Sequence, residues 1–173
     1  MLRAADRFGE WSKADDEAMR AWWRGFETNV MLSSLCAFEH RESMSNHATW
    51  FDAVWQSVAL FNGNSTGAIA AANELTRQSI AYQLLPSGEE WMEVKRETAS
   101  LYCIFDLKAL TIAADIAASN PSAPDVWSFA TPDGRSIRKS IDWLLPYALG
   151  QKPWPYPTGG LSFFECEYPE CPL

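Results

Sequence analysis

The chain lacks several features that would place it in a common functional class. Its longest apolar runs fall far short of the about 18 residues that signal a transmembrane helix, and it has no run of Lys and Arg. The formal net charge is −8, which argues against a nucleic-acid partner. Residues 1–7 contain no apolar segment of the kind found in signal peptides. We therefore expect neither membrane nor nucleic acid as a partner, and the compartment stays unknown from the sequence alone.

Residues that commonly bind metals are scarce. Cys36 and Cys103 lie in apolar helical patterns, which is typical of small buried side chains. The spacing of Cys166 and Cys171 does not match a C-x-x-C zinc motif, so a local disulfide or two free thiols is favoured there. No cluster of metal ligands is visible, and we expect no metal and no cofactor.

The composition is that of a globular protein, with 47% hydrophobic and 21% charged residues over 173 positions. This length predicts a single domain, residues 1–173, in which the proline-rich residues 150–173 form an extended tail. The chain contains nine Trp, nine Phe and five Tyr. We expect most of these rings to be core, although indole faces also stack well on sugar rings.

Hydrophobic spacing predicts helices almost throughout and no alternation typical of strands. Ser12 or Asp15 can cap the first helix, and Gly63 can take a left-handed conformation after the second. The segment 36–47 is polar, and we expect it to be irregular. The sequence predicts an all-α class built from successive helical hairpins, with helices at about 16–35, 48–61, 65–85, 92–118 and 137–145.

Two segments carry the groups needed to remove a proton beside a sugar carboxylate. Residues 45–52 place Asn46, His47 and Trp50 around the start of a helix, with Trp55 following. Residues 96–102 begin with Arg96 and end with Tyr102. If a helix covers both, these two residues lie nearly two turns apart.

Each of these residues also has a structural interpretation. Asn46 is a suitable N-cap and His47 a helix-terminal hydrogen-bonding group. Tyr102 fits a core position, and Arg96 could pair with Glu93 or Glu97 on the surface. A further alternative takes Asp52 and Glu93 as the paired carboxylates of a glycoside hydrolase, although their spacing gives that no support.

Three ordered motifs resemble the alginate lyase domain family of polysaccharide lyases, over about residues 11–156. The first is Ser45-Asn46-His47-Ala48-Thr49-Trp50-Phe51-Asp52. The second consists of Gln83, Gly88, Glu93, Arg96, Tyr102 and Phe105-Asp106-Leu107. The third comprises Asp125-Val126-Trp127, Asp133-Gly134-Arg135-Ser136, Trp143-Leu144-Leu145-Pro146-Tyr147 and Lys152-Pro153-Trp154-Pro155-Tyr156.

The resemblance implies a helical (α/α) toroid and β-elimination on a uronate polymer such as alginate. It implies catalytic roles for His47 and Tyr102, with Asn46 and Arg96 neutralising the substrate carboxylate. Because the net charge of −8 opposes an acidic polysaccharide, binding needs a local cationic pocket. His40, Arg41, Lys95 and Arg96 are the candidate cations. We predict that Arg41, Lys95, Trp50 and Trp55 bind substrate.

The chain departs from the family pattern in length, at the first position of the first motif and mainly in the second motif. A family toroid needs roughly twice this length, so the chain resembles a truncated, partial toroid with exposed helix faces that favour self-association. Ser45 stands where the family has Asn, Glu90 where it has Gln, Glu97 where it has Thr and Asp106 where it has Asn. The alternatives are a catalytically impaired carbohydrate-binding remnant and a bare helical scaffold. For the full-length family, a secreted or periplasmic location is implied.

Overall fold

The computed structural model describes residues 11–42 and 44–158, apart from the side chains of residues 39, 41, 42 and 77. Within these ranges it contains helices and no strand, and two isolated bridges join Leu84 to Glu90 and Thr98 to Thr158. The predicted all-α class is confirmed. The α-helices are α1 (Lys13–Phe26), α2 (Ser34–Glu42), α3 (Asn46–Phe61), α4 (Ser65–Glu74), α5 (Ala99–Ala118) and α6 (Ile137–Ala148).

Helix α1 begins and ends with specific polar contacts. The Ser12 hydroxyl accepts from the Asp15 backbone and the Asp15 carboxylate accepts from the Ser12 backbone, as the sequence predicts. A π-helical segment, Glu27–Met31, continues the helix. There the buried Glu27 carboxylate accepts hydrogen bonds from Asn62 at 3.0 Å and Asn64 at 3.1 Å. These bonds fix the end of α1 against the end of α3.

The segment predicted to be irregular, 36–47, is helical over most of its length, and that prediction is wrong. Helix α2 covers Ser34–Glu42 and places His40 against α3. His40 Nε2 lies 2.8 Å from Asp52 Oδ1, and the imidazole ring is 4.6 Å from the Phe51 ring. This buried polar contact joins α2 to α3.

The core consists mainly of small and aliphatic side chains. Helices α3, α4 and α5 supply alanines that allow close approach, and the bulkiest core side chains are aliphatic: Leu75, Ile80, Leu84, Leu110 and Ile137. The expectation of an aromatic core is wrong for the described residues, because every Trp, Phe and Tyr among them is at least partly exposed. The rings lie at the margins of the core, where they remain available for contacts.

The helix predicted over 92–118 is interrupted. A 3₁₀ turn covers Glu93–Lys95, Arg96 has an extended backbone with ψ of 153°, and α5 begins only at Ala99. The Ala99 amide donates to the Pro157 carbonyl at 3.0 Å, and Thr98 bridges Thr158. Pairing with this C-terminal segment replaces the helical hydrogen bonds that would have joined the two parts.

Helix α6 runs through Pro146 to Ala148, rather than ending before the proline as predicted. Proline's fixed φ is helical, but Pro146 has no amide hydrogen to donate to the preceding turn, and its carbonyl accepts from the Gln151 amide at 2.8 Å. The following residues, 151–157, have no regular structure, and the predicted extended tail over 150–173 stays a prediction. The remainder of that tail, with Cys166 and Cys171, lies outside the described residues.

Two glycines with left-handed backbones differ in the space around them. Gly88 has a φ of +95°, and a Cβ added there would lie 2.1 Å from the Lys139 carbonyl oxygen. Gly134 has a φ of +90°, and a Cβ there would meet no atom of the described chain within 4 Å. Gly63, with a φ of +75°, confirms the predicted left-handed residue after α3.

We expect Gly88→Ala to destabilise the fold more than Gly134→Ala. Both substitutions place a side chain in a left-handed conformation, at about 1–2 kcal/mol. Gly88→Ala also forces the loop away from α6, which adds about 1–3 kcal/mol. Urea unfolding followed by circular dichroism measures the difference. Equal losses of stability in the two variants would contradict the close approach of the loop to α6.

Candidate functional site

The start of α3 presents Asn46 and His47 in different environments. Ser45 is the N-cap, but its side chain makes no capping hydrogen bond. Instead, one carboxylate oxygen of Glu93 accepts from the Asn46 backbone amide at 2.7 Å and from its side-chain amide at 3.0 Å. Asn46 is 2% exposed, whereas His47 is exposed. The His47 imidazole is therefore exposed to solvent, whereas the Asn46 amide next to it is buried against Glu93.

Arg96 and Tyr102 are in direct contact. The Arg96 guanidinium carbon lies 3.9 Å from the centre of the Tyr102 ring, so that the cation stacks on the phenol. The predicted separation of nearly two helical turns is wrong, because Arg96 belongs to the turn before α5. The extended backbone at Arg96 turns the chain, and its side chain comes to lie against the first turn of α5.

Glu93 connects these two parts of the site. It binds Asn46 directly and precedes Arg96 by three residues in the same turn. Asn46 and His47 at the start of α3 are thereby tied to the turn that leads to Arg96 and Tyr102. The structure thus brings the four predicted catalytic residues onto neighbouring, connected elements.

An aromatic pair lies next to His47 on α3 and Tyr102 on α5. Trp50 follows His47 by three positions on α3, and Phe105 follows Tyr102 by three positions on α5. Their ring centres are 5.0 Å apart, and Phe105 is 42% exposed. Phe105 was absent from the predicted site. Its spacing from Tyr102, matching that of Trp50 from His47, is the signal that could have identified it.

The other predicted substrate-binding residues are not all part of this group. Lys95, the residue before Arg96, is exposed, and its ammonium lies 4.1 Å from the centre of the Trp91 ring. Trp55 contacts the Phe51 ring with a centre separation of 6.0 Å, and Phe51 in turn contacts His40. Trp55 therefore belongs to a separate ring group between α2 and α3. The Arg41 side chain lies outside the described residues.

His40 is not an open cation, because it is 8% exposed and binds Asp52. Burial raises the pKa of Asp52 to about 6, while His40 opposes that shift. Asp52 and Glu93 are 0% and 1% exposed and have separate polar partners, His40 and Asn46. Neither carboxyl is presented to a sugar, so the geometry disfavours the glycoside hydrolase alternative.

Two further carboxyl groups are buried beside Glu93. Glu90 accepts a hydrogen bond from the Ser140 hydroxyl at 2.8 Å, and burial together with the charge of Asp106 raises its pKa well above the usual range. Burial raises the pKa of Asp106 to about 7; the charge of Glu93 adds to the rise, and the Thr49 hydroxyl opposes it. Asp106 is fully buried one turn after Tyr102. The carboxyl groups of Glu90 and Asp106 therefore hold their protons to higher pH than exposed carboxyl groups do.

The described part of the chain also bears on the expected absences. Within residues 11–42 and 44–158, no group of three or more His, Cys, Asp and Glu is arranged to hold a metal ion. None of the described helices has the length and apolar character needed to cross a membrane. The expectation that no metal or cofactor takes part stays a prediction.

Large apolar side chains are exposed on α1 and α2, which carry none of the predicted catalytic residues. Trp22, Leu35 and Phe38 are 57%, 71% and 56% exposed. A cavity of about 590 Å³ along α1 is lined by Trp11, Asp15, Ala18, Met19, Trp22 and Trp23. Self-association through these faces stays a prediction.

Comparison with known proteins finds a matching family and a similar solved structure. The family described as alginate lyase matches residues 2–154. The crystal structure of an alginate lyase from Bacteroides ovatus is 28% identical in sequence, with a TM-score of 0.79. The match covers 86% of this chain and 38% of that chain. No curated protein gives a significant match.

We predict that Asp106→Asn changes how stability depends on pH. The folded chain holds a proton on Asp106 that the unfolded chain releases above its ordinary pKa of 3.8. Wild-type stability should therefore fall between about pH 4 and 7, by at most roughly 1.4 kcal/mol per pH unit from this group. The variant lacks this contribution and should gain stability relative to wild type on going from pH 5 to pH 8.

Urea unfolding at pH 5 and pH 8 measures this effect, with Asp142→Asn as the control. Asp142 is an exposed aspartate on α6, and its removal should leave the pH dependence unchanged. Asp52 also makes stability fall with rising pH, but it does so equally in wild type and in both variants, so its contribution cancels from the comparison. An Asp106→Asn chain whose stability tracks wild type at both pH values would refute the prediction.

Proposed function

Because the chain belongs to the alginate lyase family, we propose that it cleaves a uronate-containing polymer such as alginate by β-elimination. The observation that carries this proposal is the stacking of Arg96 on Tyr102 at 3.9 Å, connected through Glu93 to the α3 start that bears His47. A fixed cation, a phenol and an imidazole are the groups that the reaction requires.

The difficult step is removal of the proton on the carbon next to the substrate carboxylate. Loss of this proton places a second negative charge on the carboxylate as an enolate-like dianion. Arg96 is suited to stabilise that charge, because a guanidinium stays protonated and can bind both carboxylate oxygens. His47, exposed at the start of α3, can add a hydrogen bond to the same group.

Proton transfers complete the reaction. His47 or Tyr102 accepts the proton from the carbon, and the electron pair forms a carbon–carbon double bond as the bond to the glycosidic oxygen breaks. Tyr102 is suited to protonate that departing oxygen, because its hydroxyl can donate a hydrogen bond. The products are a new chain end and an unsaturated uronate, with no net redox change.

Sugar rings adjacent to the cleaved bond need an apolar surface. Trp50 and Phe105 supply one, three positions after His47 and Tyr102 on α3 and α5, and Lys95 is an exposed cation next to Arg96 in the sequence. Lys95 and Arg96 provide local positive charge, whereas the overall charge of −8 opposes an acidic polymer.

A second function, carbohydrate binding without cleavage, is favoured by one observation. Asn46 is turned to Glu93 and 2% exposed, which takes an amide away from a substrate carboxylate. Glu97, exposed and adjacent to Arg96, adds negative charge nearby. A chain with these features would keep the aromatic surface for sugar rings and would lack β-elimination activity.

We expect the folded chain to generate ultraviolet absorbance from alginate or a related polyuronate, since the product double bond is conjugated with a carboxylate. Tyr102→Phe should lower the rate by roughly 100-fold or more, the usual contribution of a general acid or base. The assay is a continuous absorbance measurement with each polymer separately, which also identifies the substrate.

Tyr147→Phe is the matched control, because this tyrosine lies in the aromatic group of α6, where its ring contacts Trp143 and Trp154. Its hydroxyl has no proposed role, and its rate should equal that of wild type. A folded wild-type chain that produces no absorbance, yet changes its tryptophan fluorescence on adding polymer, would exclude lyase activity and support the binding function.

A further inference from the structure

One buried carboxylate joins the two elements that carry the proposed site. Glu93 lies in the turn before Arg96, 47 positions along the chain from Asn46. A single oxygen of Glu93 accepts two hydrogen bonds from Asn46, at 2.7 Å and 3.0 Å. Glu93 is 1% exposed, so water does not compete effectively for these bonds.

The contact also takes the place of an ordinary helix cap. The first amides of an α-helix have no partner within the helix, and a side chain at the N-cap commonly accepts from one of them. Ser45 makes no such side-chain bond at the start of α3. Glu93 instead accepts from the Asn46 amide, and its negative charge lies at the positive end of the helix dipole.

The consequence for the site follows from what lies on either side of the contact. His47 is the next residue after Asn46, and Arg96 follows Glu93 by three residues and stacks on Tyr102. These groups are distant along the chain, because α4 and a second π-helical segment, Leu75–Gln83, lie between α3 and the 93–96 turn. The Glu93–Asn46 bonds join the backbone segment that carries the imidazole to the one that carries the guanidinium.

We infer that Glu93 is a positioning residue for β-elimination, acting through Asn46 and Arg96 without touching the substrate. This inference rests on the proposed function. A displacement of about 1 Å between reacting groups can cost on the order of 100-fold in rate. Loss of Glu93 should thus lower kcat much more than it raises KM, because the aromatic surface of Trp50 and Phe105 lies on α3 and α5 and not on the turn.

Glu93→Gln is the test, with Glu89→Gln as the matched control. The amide can accept only weakly in place of the carboxylate and brings a donor that Asn46 does not need. We expect kcat to fall by about 10-fold or more with KM within about threefold of wild type. Glu89 binds the Tyr156 hydroxyl at 2.7 Å, so its loss removes a nearby carboxylate and leaves the Asn46 contact intact. Its kcat should be unchanged.

Glu93→Asp provides a second variant if the first does not fold. It retains the charge and shortens the reach by one methylene, and we expect an intermediate kcat. All rates are taken well below each variant's unfolding transition, so that unfolded protein does not contribute. The backbone amide of Asn46 should also exchange its hydrogen faster in Glu93→Gln than in Glu89→Gln.

The outcomes separate this inference from the proposed function. An active wild type and a folded Glu93→Gln variant with unchanged kcat would overturn the positioning role and leave lyase activity standing. A parallel rise in KM without loss of kcat would also overturn it, since that pattern means a role in binding. A wild type inactive on all polyuronates would overturn the proposed function, and the positioning role with it.

Discussion

The paired hydrogen bonds between Glu93 and Asn46 are the constraint on which the rest of the site depends. They hold the start of α3 against the turn that precedes α5, so that two elements distant in sequence form one surface. Arg96 ends that turn with an extended backbone, so the turn does not join α5 as a continuous helix. The packing of α3 against α5 then extends the same surface to Trp50 and Phe105.

Close packing of the alanine-rich helices has an electrostatic consequence. Glu90, Glu93 and Asp106 are all buried, and Glu93 Oε2 has no hydrogen-bond partner in the described part of the chain. Three charged carboxylates cannot be buried near one another without a large desolvation cost. Burial raises the pKa of Glu90 and the pKa of Asp106, which favours their neutral forms and reduces that cost.

The sequence predicted most of the helices, the left-handed Gly63 and the residues that come together at the site. It could not predict the break before α5, because Arg96 and Thr98 look helical and leave the helical conformation next to the point where Thr98 and Ala99 pair with residues 157–158. The sequence analysis also missed α2, although Ser33 could have indicated its start, since the Ser33 hydroxyl accepts from the Cys36 amide at 3.3 Å. Glu93 entered the prediction as a motif residue, and its partner is visible only in three dimensions.

Under the proposed function, Arg96 would carry more of the charge stabilisation in this chain than the family pattern implies. That pattern has an additional amide at position 45, where this chain has Ser45, and the side-chain amide of Asn46 is committed to Glu93. A substrate carboxylate would then meet the Arg96 guanidinium and the His47 imidazole as its main polar partners. Because Arg96 also stacks on Tyr102, the group that we propose to stabilise the dianion and the group that we propose to protonate the leaving oxygen are in direct contact. A displacement of the turn at Glu93 is therefore expected to affect both proposed roles.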